Sequence, residues 1–215
     1  MDKIQEIKNK IKTLNNGEKQ FEHVELTLEE QQQRGKPKKY LEMAIDLFKA
    51  ISGKTILEIG CMRQPMNHPI SEVHHQCCND GHSTYFWCTT GARVYSVDID
   101  FKAVVRIAKK NIREFKNCHI FWQDGLKFLK KFHGNIDLLF LDAWDVVPGG
   151  KYAENHLLAY LAAKDKLSDR NIIIIDDTDV GNGGKGRLLL PVLDADGYET
   201  LVRGRQTITF KNNSS

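Results

Sequence analysis

Three acids follow directly on apolar, strand-like runs. Asp142 follows Leu139-Phe140-Leu141, and Asp176-Asp177 follows Ile172-Ile173-Ile174-Ile175. If the two runs are neighbouring strands, their ends lie about 5 Å apart and the carboxylates converge. Clustered carboxylates must be paired, protonated or metal-bound. These motifs carry no Arg or Lys, although Lys151 and Lys185 could reach in from loops. A divalent cation, Mg2+ above all, is therefore the expected partner. It takes oxygen ligands and keeps waters that a hydroxyl can displace, and a hydroxyl bound to it loses its proton more readily. The bland alternative is that Asp176-Asp177-Thr178-Asp179 merely caps a strand or helix.

A second set of residues suits a nucleoside. Glu58-Ile59-Gly60-Cys61, Asp98-Ile99-Asp100 and Gln123-Asp124-Gly125 each close a strand-like run. Gly60 lets backbone approach a ligand closely. Asp98 can accept from both ribose hydroxyls, and Asp124 from an adenine amino group. Any one of them alone reads as a polar strand cap. Three in order, one per strand, point to an adenosine-containing ligand at the carboxyl ends of a parallel sheet.

The elements that must hold these residues alternate. Strands are expected at Thr55–Ile59, Arg93–Val97, His119–Trp122, Ile136–Leu141 and Asn171–Ile175, with helices over Phe101–Phe115, Gly125–Phe132 and Glu154–Leu167. Such alternation implies an α/β fold with a parallel sheet. The four consecutive isoleucines suit a central strand covered on both faces. Lys185–Leu193 reads as a helix, and Tyr198–Arg203 and Gln206–Lys211 as a closing antiparallel hairpin. Leu41–Ile51 reads as a helix packed on the sheet. Residues 1–39 form a separate charged arm, in which Ile4, Ile7, Ile11 and Leu14 recur at helical spacing. A solvated arm is the preferred reading, with a lid or a homodimer contact as the functional alternative. Residues 40–215 form the domain proper.

From about Thr55 to Phe210 the chain resembles the class I S-adenosylmethionine (SAM)-dependent methyltransferases. Ile56-Leu57-Glu58-Ile59-Gly60, Val94-Tyr95-Ser96-Val97-Asp98 and Gln123-Asp124-Gly125 carry the likeness. The resemblance implies a Rossmann-like, mostly parallel seven-stranded sheet with an antiparallel carboxyl-terminal edge. It also implies that Asp98 holds the ribose, Asp124 the adenine and the Gly60 loop the methionine part. A nucleotide-dependent oxidoreductase would want G-x-G-x-x-G after the first strand, where this chain has only Gly60 and then Cys61-Met62-Arg63. Asp80-Gly81-His82-Ser83-Thr84 resembles the start of the following helix. The implied cofactor residues are thus Glu58, Gly60, Cys61, Gly81, Ser83, Thr84, Asp98, Ile99, Gln123, Asp124 and Gly125.

The acceptor end is similar to the metal-dependent O-methyltransferases of the catechol and macrocin types. That resemblance carries over Asp142, Asp176 and Asp177 as metal ligands. The catechol type places a lysine base three residues after its first aspartate, where this chain has Asp145. Asp145, Asp142 or His156 could take the proton instead. No proline-rich D/N-P-P-aromatic motif of amino-group methyltransferases follows the fourth strand. The expected activity is methyl transfer to a hydroxyl of a small molecule, such as a sugar, a polyketide or a phenol. A catalytically inactive cofactor-binding protein of the same fold is the non-enzyme alternative.

Met62 to Asn79 stands as an insertion after the first strand, holding His68, His74, His75, Cys77 and Cys78. Its spacing lacks C-x-x-C, so a substrate-facing lid is preferred over a zinc site. The net charge of +3 over 215 residues gives no nucleic-acid footprint. No apolar run approaches a membrane span, and the charged start MDKIQEIKNK is unlike a signal peptide. Five cysteines, an odd number, suit a reduced, cytoplasmic protein.

Overall fold

The structure, a computed structural model, describes residues 2–15, 18–35, 37–63 and 82–212. His68, His74, His75, Cys77, Cys78 and Gly81, and with them the lid and zinc readings of the insertion, lie outside the described residues.

The strands are β1 (Thr55–Ile59), β2 (Arg93–Asp98), β3 (Cys118–Trp122), β4 (Ile136–Leu141), β5 (Leu167–Ile175), β6 (Glu199–Arg203) and β7 (Thr207–Asn212). They form one sheet in the order β3-β2-β1-β4-β5-β7-β6. The first five run parallel, and β7 pairs antiparallel with both β5 and β6. The chain leaves β1 toward β2 on one side and later returns to β4 on the other. The β1/β4 boundary is therefore the switch point, where the crevice of such a sheet opens.

Helices cover both faces. Alternate residues of the central strands enter opposite cores, as a two-residue period requires. Ile56, Leu138, Phe140, Ile172 and Ile174 pack with α1 (Lys3–Lys12), α3 (Pro37–Ala50) and α4 (Ser83–Cys88). Leu57, Leu139, Leu141, Ile173 and Ile175 pack with α6 (Gly125–Lys131), α7 (Tyr152–Ala163) and α8 (Leu189–Ala195). The isoleucine run is apolar throughout because β5 is covered on both faces. No helix among the described residues is long and apolar enough to cross a membrane.

Four expectations are revised. The expected Phe101–Phe115 helix is a π-helical stretch, Lys102–Ala108, running into the short α5 (Lys109–Asn111). The expected Lys185–Leu193 helix is a tight turn at Gly184–Gly186, entered through left-handed Gly183 and Gly184, and then α8 beginning only at Leu189. The amino-terminal arm is not simply solvated. Ile7 and Ile11 are buried against the core, and Lys8 and Lys12 pair with Glu199 at 2.5 and 2.6 Å. Finally, Cys88 at the end of α4 and Cys118 at the start of β3 are joined in a disulfide, against the reduced reading, since these two ends meet in the fold.

Residues 18–35 form a strap beside the loops that follow β5. Phe21 N–H donates to Asp179 O at 2.7 Å and Gly181 N–H to His23 O at 3.0 Å. Within the strap, α2 (Leu28–Gln33) opens with a reciprocal cap between Thr27 and Glu30. Glu18 accepts from the Tyr40 hydroxyl and pairs with Lys39.

Candidate functional site

A cleft of about 260 Å³ opens at the switch point, lined by residues from the ends of β1, β2 and β4 and from the start of α6. Of the residues singled out from sequence, Gly60, Cys61, Asp98, Ile99, Asp124, Gly125, Asp142 and Asp145 lie in its wall. Gly60 has φ +99°, and a Cβ there would meet Asp142 O at 2.9 Å. Glycine is what lets the β1 and β4 ends close together. Asp98 accepts from Cys61 N–H at 3.0 Å and from Asp100 N–H at 2.8 Å, so it shapes the Gly60–Cys61 turn as well as facing the cleft. Asp124 caps α6, accepting from Lys127 N–H at 2.8 Å. The polar-cap reading and the cleft position hold together for this residue. Ile99 is 70% exposed over the cleft.

Glu58, Ser83 and Thr84 lie deeper, and none is among the described lining residues. Glu58 is fully buried and accepts from Ser83 and Ser96 at 2.5 Å and from Thr84 at 2.6 Å. Thr84 in turn accepts from Met62 N–H at 2.9 Å. This network pins the start of α4 to β1 and β2. Burial pushes the Glu58 carboxyl up to about 7, although the hydroxyls that donate to it pull the other way. Gln123 is held by its backbone, its N–H donating to Asp98 O at 3.0 Å.

The three expected base candidates separate. Asp142 faces the cleft, and burial, reinforced by the nearby Asp176, raises its carboxyl well above the usual range. Asp145 also faces the cleft but is gripped by the Arg63 guanidinium, with two contacts of 3.2 Å. His156 is fully buried, edge-on to Trp144, with Nδ1 2.6 Å from Tyr152 O. Burial, assisted by the Lys185 charge, lowers it to about 3, so it is neutral and away from the cleft wall.

Asp142, Asp176 and Asp177 do converge. One oxygen from each lies within 4.8 Å of the others, because β4 and β5 are paired with Leu141 opposite Ile175. Their electrostatic partner is a lysine and not an open space. Lys185 Nζ, 1% exposed, lies 2.7 Å from Asp142 Oδ1 and 3.1 Å from Asp177 Oδ2. Arg34 of the strap takes the other Asp177 oxygen at 2.6 Å and both oxygens of Asp179 at 2.6 and 2.8 Å. Gln206 donates to Asp176 Oδ1 at 2.7 Å. Burial disfavours the Asp177 carboxylate, but Lys185, Arg34 and Arg205 outweigh it and hold the group well below the usual range. As a donor set, three aspartate oxygens suit Mg2+ in kind. As arranged they do not fit it, since Asp177 would first have to release Lys185 or Arg34.

Sequence reading missed Arg34, which lies 143 residues before Asp177 in the chain. It placed Lys185 only as a residue within reach. The signal for Lys185 is the run Gly181-Asn182-Gly183-Gly184-Lys185-Gly186, whose glycines mark a backbone pressed close to another segment.

No family model matches the sequence, and no curated protein matches it. Solved structures do. An O-methyltransferase from Bacillus cereus in complex with SAH superposes with a TM-score of 0.56 at 14% identity, over 98% of this chain and 90% of that one. TomG of Streptomyces achromogenes, an O-methyltransferase involved in tomaymycin synthesis and in complex with SAM, gives 0.55 at 13%, over 81% and 80%. A 16S rRNA methyltransferase of T. thermophilus gives 0.55 at 15%, over 80% of this chain and 42% of that one. The chain therefore has the Rossmann-like fold of the class I methyltransferases. Identities this low carry the fold and leave the activity to the site.

Proposed function

We propose that this protein transfers the methyl group of SAM to a hydroxyl of a small molecule. One observation carries the reading: Asp142 stands in the wall of the same cleft as Asp98 and Asp124. Asp98 and Asp124, read as the ribose and adenine acceptors, then share a cleft wall with the carboxylate read as facing the methyl acceptor. The structural likeness to SAH- and SAM-bound O-methyltransferases supports the same assignment.

In this reading Asp98 accepts from the ribose hydroxyls and Asp124 from the adenine amino group. The Gly60–Cys61 turn borders the methionine part. The acceptor oxygen attacks the sulfonium methyl in line. The new C–O bond forms as the S–CH3 bond breaks, the electron pair stays on sulfur, and the hydroxyl proton passes to Asp142. The chain's main contribution is proximity and alignment. Asp142 suits proton transfer because it stands in the cleft wall and burial raises its carboxyl above the ordinary aspartate range, which makes its carboxylate a stronger base. The transfer uses no metal in this reading, because Asp177 is already engaged by Lys185 and Arg34. A sugar, polyketide or phenol hydroxyl fits this chemistry equally.

Calorimetry with SAM and with a nicotinamide dinucleotide tests the reading. SAM should bind and the nicotinamide should not. Asp98→Ala should weaken SAM by about tenfold or more, since each charge-assisted hydrogen bond contributes about 1.5–3 kcal/mol. Equal SAM affinity in wild type and variant would remove the ribose role, and nicotinamide binding alone would replace the proposal with an oxidoreductase.

A further inference from the structure

We infer that Lys185 is the resident cation of the Asp142–Asp176–Asp177 cluster, fixing Asp142 in the cleft wall so that the acceptor side works without a divalent ion. The methyl-transfer role of that wall rests on the function proposed above, whereas the exclusion of metal does not.

A lysine ammonium is rarely taken fully out of water unless it is paired. Here it bridges two of the three acids, at 2.7 and 3.1 Å. A metal bonded to those same oxygens would sit about 2.1 Å from each, almost on top of the ammonium, and two adjacent cations repel. Most of the cluster's negative charge is also compensated from within. Asp142, Asp176, Asp177 and Asp179 face Lys185 and Arg34, with Arg205 close enough to act on Asp177 and Asp179.

The backbone is built to deliver this side chain. Gly183 and Gly184 have φ +102° and +47°, and a Cβ on Gly184 would fall 1.9 Å from Asp177 O. A Cβ on Gly186 would come within 3.0 Å of Thr178 and Leu190 side chains. Lys185 N–H also donates to Asp177 O at 3.3 Å. The turn is thus pressed onto the strand end that carries the acids, and at position 184 only glycine allows that approach. A lysine whose sole purpose was solubility would need none of this.

Mn2+ titrated into the full chain, with free Mn2+ read by electron paramagnetic resonance, tests the inference. Wild type should show no saturable site below about 1 mM. Lys185→Met should gain one site that binds about tenfold or more tightly than any in wild type, and adding Asp142→Asn should abolish it. A merely structural lysine would produce no such gain. A micromolar Mn2+ site in wild type, or a Lys185→Met protein that folds and binds Mn2+ no better, overturns the inference. If Lys185→Met does not fold, the wild-type titration decides by itself. A chain that fails to bind SAM loses the proposed function without altering either Mn2+ result, so the two failures are told apart.

Discussion

Replacing Gly60 by alanine should damage both the fold and the cleft. At φ +99° an L residue lies outside the comfortable left-handed well, which costs about 1–3 kcal/mol. The added Cβ would lie 2.9 Å from Asp142 O and 3.0 Å from Asp142 C. Neither is the end of a flexible side chain, so β1 and β4 must part by a few tenths of an ångström. Asp142 N–H donates to Ile59 O at 2.9 Å across this same junction, and stretching that bond adds up to about 1 kcal/mol. A total of about 1–4 kcal/mol is a large share of the stability of an ordinary domain. Urea unfolding followed by circular dichroism measures it, and calorimetry with SAM reads the cleft. Affinity should fall as well, because Gly60 and Asp142 share the cleft wall. An unchanged urea midpoint together with unchanged SAM affinity would refute the close-approach argument.

Two further outcomes are expected. Because Glu58 is raised to about 7 in the folded protein from an unfolded value near 4.5, the native state holds the extra proton between those values. Its stabilisation is complete below pH 4.5 and declines as pH rises to 7, by at most about 1.4 kcal/mol per unit. Urea midpoints at pH 5 and 7.5 should therefore differ more in wild type than in Glu58→Gln, and equal slopes would assign the pH dependence to other groups. Arg34→Ala should cost about 3–5 kcal/mol, because it leaves Asp177 and the buried Asp179 without their guanidinium. It should also open residues 18–35 to limited proteolysis, and a protease-resistant variant of wild-type stability would show that the ion pairs do not hold the strap.

The sequence is most legible where local pattern and position coincide. The apolar runs of β1, β4 and β5 identify themselves by composition, and the acids at their ends follow from the rule that ligands sit beyond carboxyl ends. Gly60, Asp98 and Asp142 fall in the cleft for that reason. Reading fails where the deciding contact is long-range. Glu58 looks like a cofactor residue by position, but three hydroxyls from β2 and α4 hold it in the core. His156 looks available by type, but α7 turns it inward beneath Trp144. The acid cluster reads as unpaired because its lysine arrives from a glycine turn and its arginine from a segment read as a separate arm. Even the disulfide joins cysteines that are 30 residues apart in the chain.

The strap has a consequence for the order of events during synthesis. Glu18 accepts from the backbone of Arg205, 187 residues later, and Arg34 meets Asp179 across 145 residues. Everything that anchors residues 18–35 beside the acids thus leaves the ribosome long after the strap itself. At ordinary elongation rates the delay is roughly ten to thirty seconds. Through that interval the β1–β4 half of the sheet can already pair, and Glu18 can meet Lys39 and Tyr40, while Arg34 and Phe21 still lack Asp177 and Asp179. Closing so long a loop is slow and entropically costly. The acceptor end should consequently be the last part of the molecule to acquire its native form. Its carboxylates gain both their lysine and their arginine only once the segment that carries Lys185 has emerged.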